Sequence, residues 1–171
     1  MTNQERAAGI KLVIMDVDGT LTDGAMYYSA RGEELKRFST RDGMGVTLLH
    51  KAGIATAIIT SENTEIVLRR AQKLGITEVM MGSHDKTTTF HDMCRRLELD
   101  AESIAYIGDD VNDLHVMQLC GLSGCPSDAV AAIRNVAHVV WSVPGGNGAV
   151  REFVEFILTA QDKNVTIPER W

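Results

Sequence analysis

Six short apolar runs alternate with segments of helical length along this chain, and that alternation limits the architectures open to it. The runs are KLVIMD (11–16), IATAIIT (54–60), EVMM (78–81), SIAYIGD (103–109), GLSGC (121–125) and HVVW (138–141). Short, continuous apolar runs suit strands covered on both faces of a sheet. Between them lie helical patterns. Asp42 is placed to cap a helix that runs to about Ala52 and stops at Gly53. Residues 63–74 set Val67, Ala71 and Leu74 on one face and end at Gly75. Asp85 can cap a helix whose apolar face is Phe90, Met93, Cys94 and Leu97, and further helices fit 111–120, 128–135 and 147–160. Strands and helices in this alternation predict an α/β fold, a doubly wound parallel sheet.

The exception is 23–40. Its AMYYS and ELKRF runs flank a polar, Gly-containing centre, which predicts a β-hairpin insertion over about 23–38. The tail QDKNVTIPERW, about 161–171, is polar and expected to be extended. The 171 residues suit one domain, so 1–171 is read as a single unit.

The net charge of -6 gives no electrostatic footprint for nucleic acid or an anionic membrane. An anionic substrate would then need local cations or a metal ion to hold it. No apolar run approaches the ~20 residues of a membrane span, and MTNQERAAGIK lacks the apolar core of a signal peptide. The expected location is cytoplasmic. Cys94, Cys120 and Cys125 lack paired metal-ligand spacing and read as reduced packing residues.

The chemistry gathers at the strand ends. In VIMDVDGTL, Asp16 and Asp18 are two apart in an extended segment, so they face the same way and repel. A metal ion is the simplest offset. In open parallel sheets, sites form beyond the carboxyl ends of the strands. Asp16, Asp18, Thr60, Asp109 and Asp110 lie at or just past such ends, Asp113 follows in the next helical turn, and Lys86 follows EVMM by a short loop. Lys86 is informative because a cation in a helix's first turn opposes the macrodipole. Each residue has an ordinary explanation alone: an acidic turn, a β-branched strand residue, a surface lysine. Their convergence on one rim does not.

DVDGTLTDG, IITS, HDK and GDDVND also resemble, in this order, the four motifs of haloacid dehalogenase-superfamily phosphatases. The similarity runs from Lys11 to about Phe156. YIGDDVNDL and GGNGAVREF are similar to the 3-deoxy-D-manno-octulosonate 8-phosphate phosphatase family and its nine-carbon 9-phosphate relatives. The resemblance implies a Rossmann-like sheet and a phosphatase of sugar-acid biosynthesis, for lipopolysaccharide or sialic acid. Asp16 would be the nucleophile that forms an aspartyl-phosphate. Asp18 would protonate the leaving alkoxide and then activate water. Thr60 and Lys86 would hold the phosphoryl oxygens. Mg²⁺ would be held by Asp16, the backbone carbonyl of Asp18 and Asp109, while Asp110 and Asp113 would orient water or Lys86.

Such an enzyme needs a cover for its substrate. Only about 20 residues, with room for one hairpin, separate Thr20 from the helix at Asp42, and one helix and one strand fit between Thr60 and Lys86. No cap domain is expected. Glu62, Arg69 and Lys73 fall on one stripe after Thr60, and from Glu62 to Lys73 a helix would span roughly 16 Å at ~1.5 Å per residue. That is long for one chain to embrace one small sugar acid. The resemblance implies a homotetramer in which neighbours complete each site, with Arg70 and Lys73 reaching the substrate carboxylate across the interface. The hairpin would supply intersubunit contacts, and the segment 145–148 would support the tail.

Glu62 sets the expected substrate. Eight-carbon phosphatases usually carry Gly-Arg after the second-motif Thr; here Ser61-Glu62 precede NTEIV. ENTEIV more closely resembles the nine-carbon enzymes, whose matching Glu is implicated in sugar recognition. A carboxylate there accepts hydrogen bonds from hydroxyls. The expectation therefore leans to a nine-carbon acid such as 2-keto-3-deoxynononate or N-acetylneuraminate 9-phosphate, with 3-deoxy-D-manno-octulosonate 8-phosphate as the alternative. Two readings of another class are a phosphoacceptor signalling domain and a catalytically silent oligomerisation domain.

Overall fold

In a computed structural model of the chain, which describes residues 1–163 and Thr166, six parallel strands form one sheet. They are β1 (Leu12–Met15), β4 (Ala55–Ile59), β5 (Glu78–Met80), β6 (Ile104–Ile107), β7 (Leu122–Cys125) and β8 (Val139–Val140), in the order β5-β4-β1-β6-β7-β8. β1 lies at the centre, paired in register with β4 (Leu12 opposite Ala55) and with β6 (Leu12 opposite Ile104). The order reverses at β1. Chain segments leaving β1 and its neighbours therefore diverge, which opens a crevice at the strands' carboxyl ends.

The apolar runs are continuous because both faces are covered. Val13, Met15, Ile58, Ala105 and Ile107 point into one core, against α2 (Thr40–Lys51) and α7 (Ala149–Ala160). Leu12, Ile14, Ala57, Ile59 and Tyr106 point into the other, lined by α4 (Lys86–Leu97) and α5 (Leu114–Leu119). Alternate residues of each strand thus serve opposite cores, as the two-residue period of a strand requires. Phe90, Met93, Cys94 and Leu97 of α4 all pack into the second core, as their spacing predicts. The hairpin forms as expected from β2 (Tyr27–Ser29) and β3 (Gly32–Leu35), antiparallel and separate from the main sheet.

Several details differ from the sequence reading. A short helix, α1 (Asn3–Ala8), precedes β1, started by a capping box in which Thr2 and Glu5 bond each other's backbone amides. Ser39, not Asp42, caps α2, accepting from the amides of Arg41 and Asp42. Asp42 is buried in the first turn and caps a different helix. Its carboxylate accepts from Gly148 N at 3.2 Å and Arg151 N at 2.9 Å, at the start of α7. Gly148 has no side chain to cap α7, so a carboxylate borrowed from α2 satisfies those donors. The helix expected from residue 63 begins later, as α3 (Glu65–Leu74) capped by Thr64. Glu62 therefore sits in the loop before α3 and shares no helical stripe with Arg69 and Lys73. The patterns at 111–120 and 128–135 form a 3₁₀ turn at Val111–Asp113 followed by α5, and the short α6 (Ala131–Arg134). Most of the tail, about 161–171, lies outside the described residues; within it, Gln161 Nε2 donates to the carbonyls of Ala7 and Ile10.

Candidate active site

β1 runs into Asp16, and the chain then turns sharply through Val17–Leu21. Gly19 makes the turn possible at φ +86°, and a side chain there would meet Asp109 Oδ2 at 2.1 Å. The turn is clamped from above by the segment 145–148, which was expected to serve the tail. Gly146 N donates to Thr20 O at 3.0 Å, and a Cβ on Gly145 would lie 1.8 Å from Gly19 O. Gly145 and Gly146 of GGNG are needed for close approach to the acidic loop.

Lys86, the first residue of α4, reaches the centre of the rim. Its Nζ donates to Asp16 Oδ1 at 2.5 Å and to Asp113 Oδ1 at 2.6 Å, with all three side chains buried. Burial opposes its charge, but the two carboxylates win and hold the ammonium above its ordinary pKa. Asp113 is the organiser. Besides Lys86, its Oδ1 accepts from Tyr106 OH at 2.6 Å; its Oδ2 accepts from the amides of Asp109 at 3.0 Å and Asp110 at 3.3 Å. Gly108 makes room for it, since a Cβ there would lie 2.3 Å from Asp113 Oδ2. Asp109 accepts from Thr20 Oγ1 at 3.1 Å.

Asp16, Asp109 and Asp113 each offer an oxygen within 4.8 Å of the others. Burial, then the charge of Asp113, pushes the Asp16 carboxyl well above the usual range and lifts Asp109 to about 7. This all-oxygen set carries negative charge that one lysine does not balance, and it fits a hard divalent cation such as Mg²⁺. Asp16 and Asp109 are the better carboxylate ligands. The oxygens of Asp113 are already engaged by Lys86, Tyr106 and two amides, so its task is to orient its neighbours.

A cleft of ≈ 260 Å³ opens above this cluster, lined by Asp16, Asp18, Thr60, Ser61, Glu62 and Asp110 among others. Thr60 is buried at the end of β4, its Oγ1 accepting from Glu62 N at 3.3 Å. The structure thus brings together Asp16, Asp18, Thr60, Lys86, Asp109, Asp110 and Asp113, with Glu62 at the mouth. It does not bring Arg70 or Lys73 to the cleft within one chain. Arg70 Nη2 donates to Ser39 O at 3.0 Å and its guanidinium lies over the Phe38 ring, while Lys73 is exposed near the far end of α3.

Sequence reasoning missed four contributors. Met26 and Val111 line the cleft, and Asn112 Nδ2 donates to Ser61 Oγ at 3.2 Å. Lys36, from the residues after β3, places Nζ 2.5 Å from Asp18 Oδ1. Asn112 was available as the only uncharged polar residue of GDDVND, whereas nothing local marks Lys36.

Residues 50–153 match the model of the haloacid dehalogenase-like hydrolases. The 3-deoxy-D-manno-octulosonate 8-phosphate phosphatase of Yersinia pestis is 45% identical over 93% of this chain and 85% of its own. The cobalt-bound deoxy-D-mannose-octulosonate 8-phosphate phosphatase of Haemophilus influenzae superposes with a TM-score of 0.89 at 41% identity, covering 92% of each chain. The Moraxella catarrhalis 3-deoxy-D-manno-octulosonate 8-phosphate phosphatase, in complex with magnesium, phosphate and KDO, superposes with a TM-score of 0.91 at 39% identity, covering 94% of this chain and 92% of that one. A buried Asp–Lys–Asp cluster at the carboxyl edge of a parallel sheet, on a chain this close to those enzymes, makes the protein a member of the haloacid dehalogenase-like hydrolases and a phosphoric monoester hydrolase.

Proposed function

We propose that this phosphatase hydrolyses the terminal phosphate of 3-deoxy-D-manno-octulosonate 8-phosphate with Mg²⁺ as cofactor. Identity of 39–45% over more than nine-tenths of the chain to enzymes of that name carries the reading. It replaces the nine-carbon preference expected from Glu62, which none of these relatives supports. Glu62 is exposed at the mouth of the cleft, where a carboxylate can accept hydroxyls of either sugar.

In the proposed reaction Asp16 attacks phosphorus and becomes the aspartyl-phosphate, while Asp18 gives its proton to the departing sugar oxygen. Asp18 then takes a proton from the water that releases phosphate from Asp16. Lys86 neutralises charge on the phosphoryl oxygens without moving, because Asp113 already fixes it. Thr60 lies beside Asp16 in the cleft and donates its hydroxyl to the same oxygens. Asp16, the backbone carbonyl of Asp18 and Asp109 would hold Mg²⁺, which supplies further charge neutralisation.

The cleft is open above, and among the described residues the hairpin is the element placed to cover it. Tyr27, Tyr28 and Leu35 of the hairpin are exposed, as are Leu68 and Lys73 on α3. An apolar hairpin beside an open site supports a homo-oligomer, with a tetramer as the assembly proposed and a neighbour's Lys73 as the additional substrate contact. Arg70, tied to Ser39, is better suited to holding α3 against α2. The test is phosphate release from eight-carbon and nine-carbon 2-keto-3-deoxy acid phosphates. The eight-carbon ester should have the higher kcat/KM; a clear preference for the nine-carbon ester overturns the assignment.

A further inference from the structure

Lys36 is a lysine buried where lysines are costly. Its side chain is 0% exposed, although Leu35 beside it is 63% exposed. Its Nζ lies 2.5 Å from Asp18 Oδ1 and 2.7 Å from Glu33 Oε1. Removing an ammonium from water costs several kcal/mol unless carboxylates compensate, and both carboxylates are present. The pairing has a consequence for Asp18. With Oδ1 engaged by Lys36, Oδ2 is left buried and, among the described residues, with no hydrogen-bond partner, on a residue that lines the catalytic cleft. A buried unpartnered carboxylate oxygen is rare and calls for a functional reason.

We propose that Lys36 is a positioning residue for proton transfer: it fixes Asp18 through Oδ1, so that Oδ2 is the oxygen that exchanges protons with the leaving group and with water. The inference rests on the acid–base role of Asp18 proposed above. As the Asp16–phosphorus bond forms and the ester P–O bond breaks, the breaking bond's electron pair goes to the sugar oxygen, which takes the proton held on Oδ2. In the second step the proton of the attacking water returns to Oδ2 as phosphate leaves Asp16. Oδ1, held by the ammonium, does not compete for either proton. The hairpin thereby contributes to the chemistry as well as to the surface.

A simple anchoring role for the Lys36–Asp18 pair makes a different prediction, and leaving-group dependence separates the two. An alkyl phosphate needs its leaving oxygen protonated; p-nitrophenyl phosphate does not. kcat/KM reports events up to formation of the aspartyl-phosphate, so it isolates the first proton transfer. Lys36→Met should lower kcat/KM for the alkyl ester by roughly 10²-fold, the low end of general-acid effects, and leave the p-nitrophenyl ester within about threefold. Asp18→Asn should show the same selectivity at larger magnitude. Lys36→Arg keeps the charge but moves it; it should lose less, with the same bias, and it carries the comparison if Lys36→Met does not fold. Equal losses on both esters in the Lys36 variants, with selective loss in Asp18→Asn, make Lys36 an anchor and overturn the proposal. Equal losses in Asp18→Asn remove the acid role itself, and the proposal with it.

Discussion

The sheet rim and the β2–β3 hairpin meet at the same cleft but are built by opposite means. At the rim, buried Lys86 bonds both Asp16 and Asp113, Asp113 also accepts from two backbone amides, and Gly108 and Gly19 leave room for Asp113 and Asp109. Every position there is over-determined. The hairpin has little core of its own: Tyr27, Tyr28 and Leu35 face outward, and Tyr28 is 66% exposed. Its ties to the rest of the site are polar: the ion pairs of Lys36 with Asp18 and of Arg37 with Asp23, and the bonds Arg37 donates to Gly146 O and Asn147 Oδ1. The chemical step needs charges fixed to within fractions of an ångström, which burial in a rigid sheet supplies. Substrate cover and assembly need an accessible surface, which the sheet cannot supply.

The largest effect should come from the nucleophile. Asp16→Asn is expected to fold, since an amide oxygen can still accept from Lys86, and to lose turnover by roughly 10⁴-fold or more. Near-wild-type phosphate release from that variant would remove Asp16 from the mechanism. Asp113→Ala should strike the rim's stability instead. It takes one of two carboxylate partners from the buried Lys86 ammonium, which keeps Asp16, and leaves the Tyr106 hydroxyl and two amides without their acceptor, at a cost of about 3–5 kcal/mol. Denaturant unfolding checks this, and a loss under about 1 kcal/mol would mean that the rim is less tightly determined than its bonds imply.

The metal site should respond to pH with a defined sign. Burial and Asp113 lift Asp109 to about 7, above the ordinary 3.8. In the metal-free protein the native state therefore keeps a proton that the unfolded chain has lost between those values. Its contribution to stability falls as pH rises through that window. Mg²⁺ must displace the proton, so its affinity should climb by up to about tenfold per pH unit below 7 and level off above. Calorimetric titration at pH 6 and pH 8 measures this, and chelation should abolish activity until Mg²⁺ is restored. Equal affinity at the two pH values would show that Asp109 does not carry the proton.

How much of this was legible in the chain follows the same division. The β1, β4 and β6 runs and the acids behind them could be read because burial on both faces demands unbroken apolar residues and because acids at strand ends share one rim. Lys86 could be read from a charge on the wrong end of a helix. The role of Asp42 could not: an acid near a helix start reads as that helix's own cap, and only packing shows that it serves α7. Glu62 was misplaced onto a helix because the run from Asn63 has helical spacing, whereas Thr64 starts the helix by accepting from Ile66 N at 3.3 Å. Lys36 was missed because its partner lies 18 residues away across a turn, and sequence spacing holds no record of that contact.

The smallest effect on the fold, and the sharpest test of the division, lies on the hairpin. Replacing Tyr28 by Ser removes an exposed ring from a strand that packs on neither core. Unfolding of the separated chain should change by no more than about 0.5 kcal/mol, as for other surface changes. If the hairpin is where copies meet, the same substitution should lower the assembly's mass in light scattering at assay concentration. It should also raise KM for the sugar-acid phosphate more than it lowers kcat, because the cover is weakened while Asp16, Lys86 and Asp113 stay in place. A Tyr28→Ser protein that loses stability but keeps its assembly would place Tyr28 in the fold and not in an interface. One that keeps both would move the search for the intersubunit surface to α3, where Leu68 is 44% exposed.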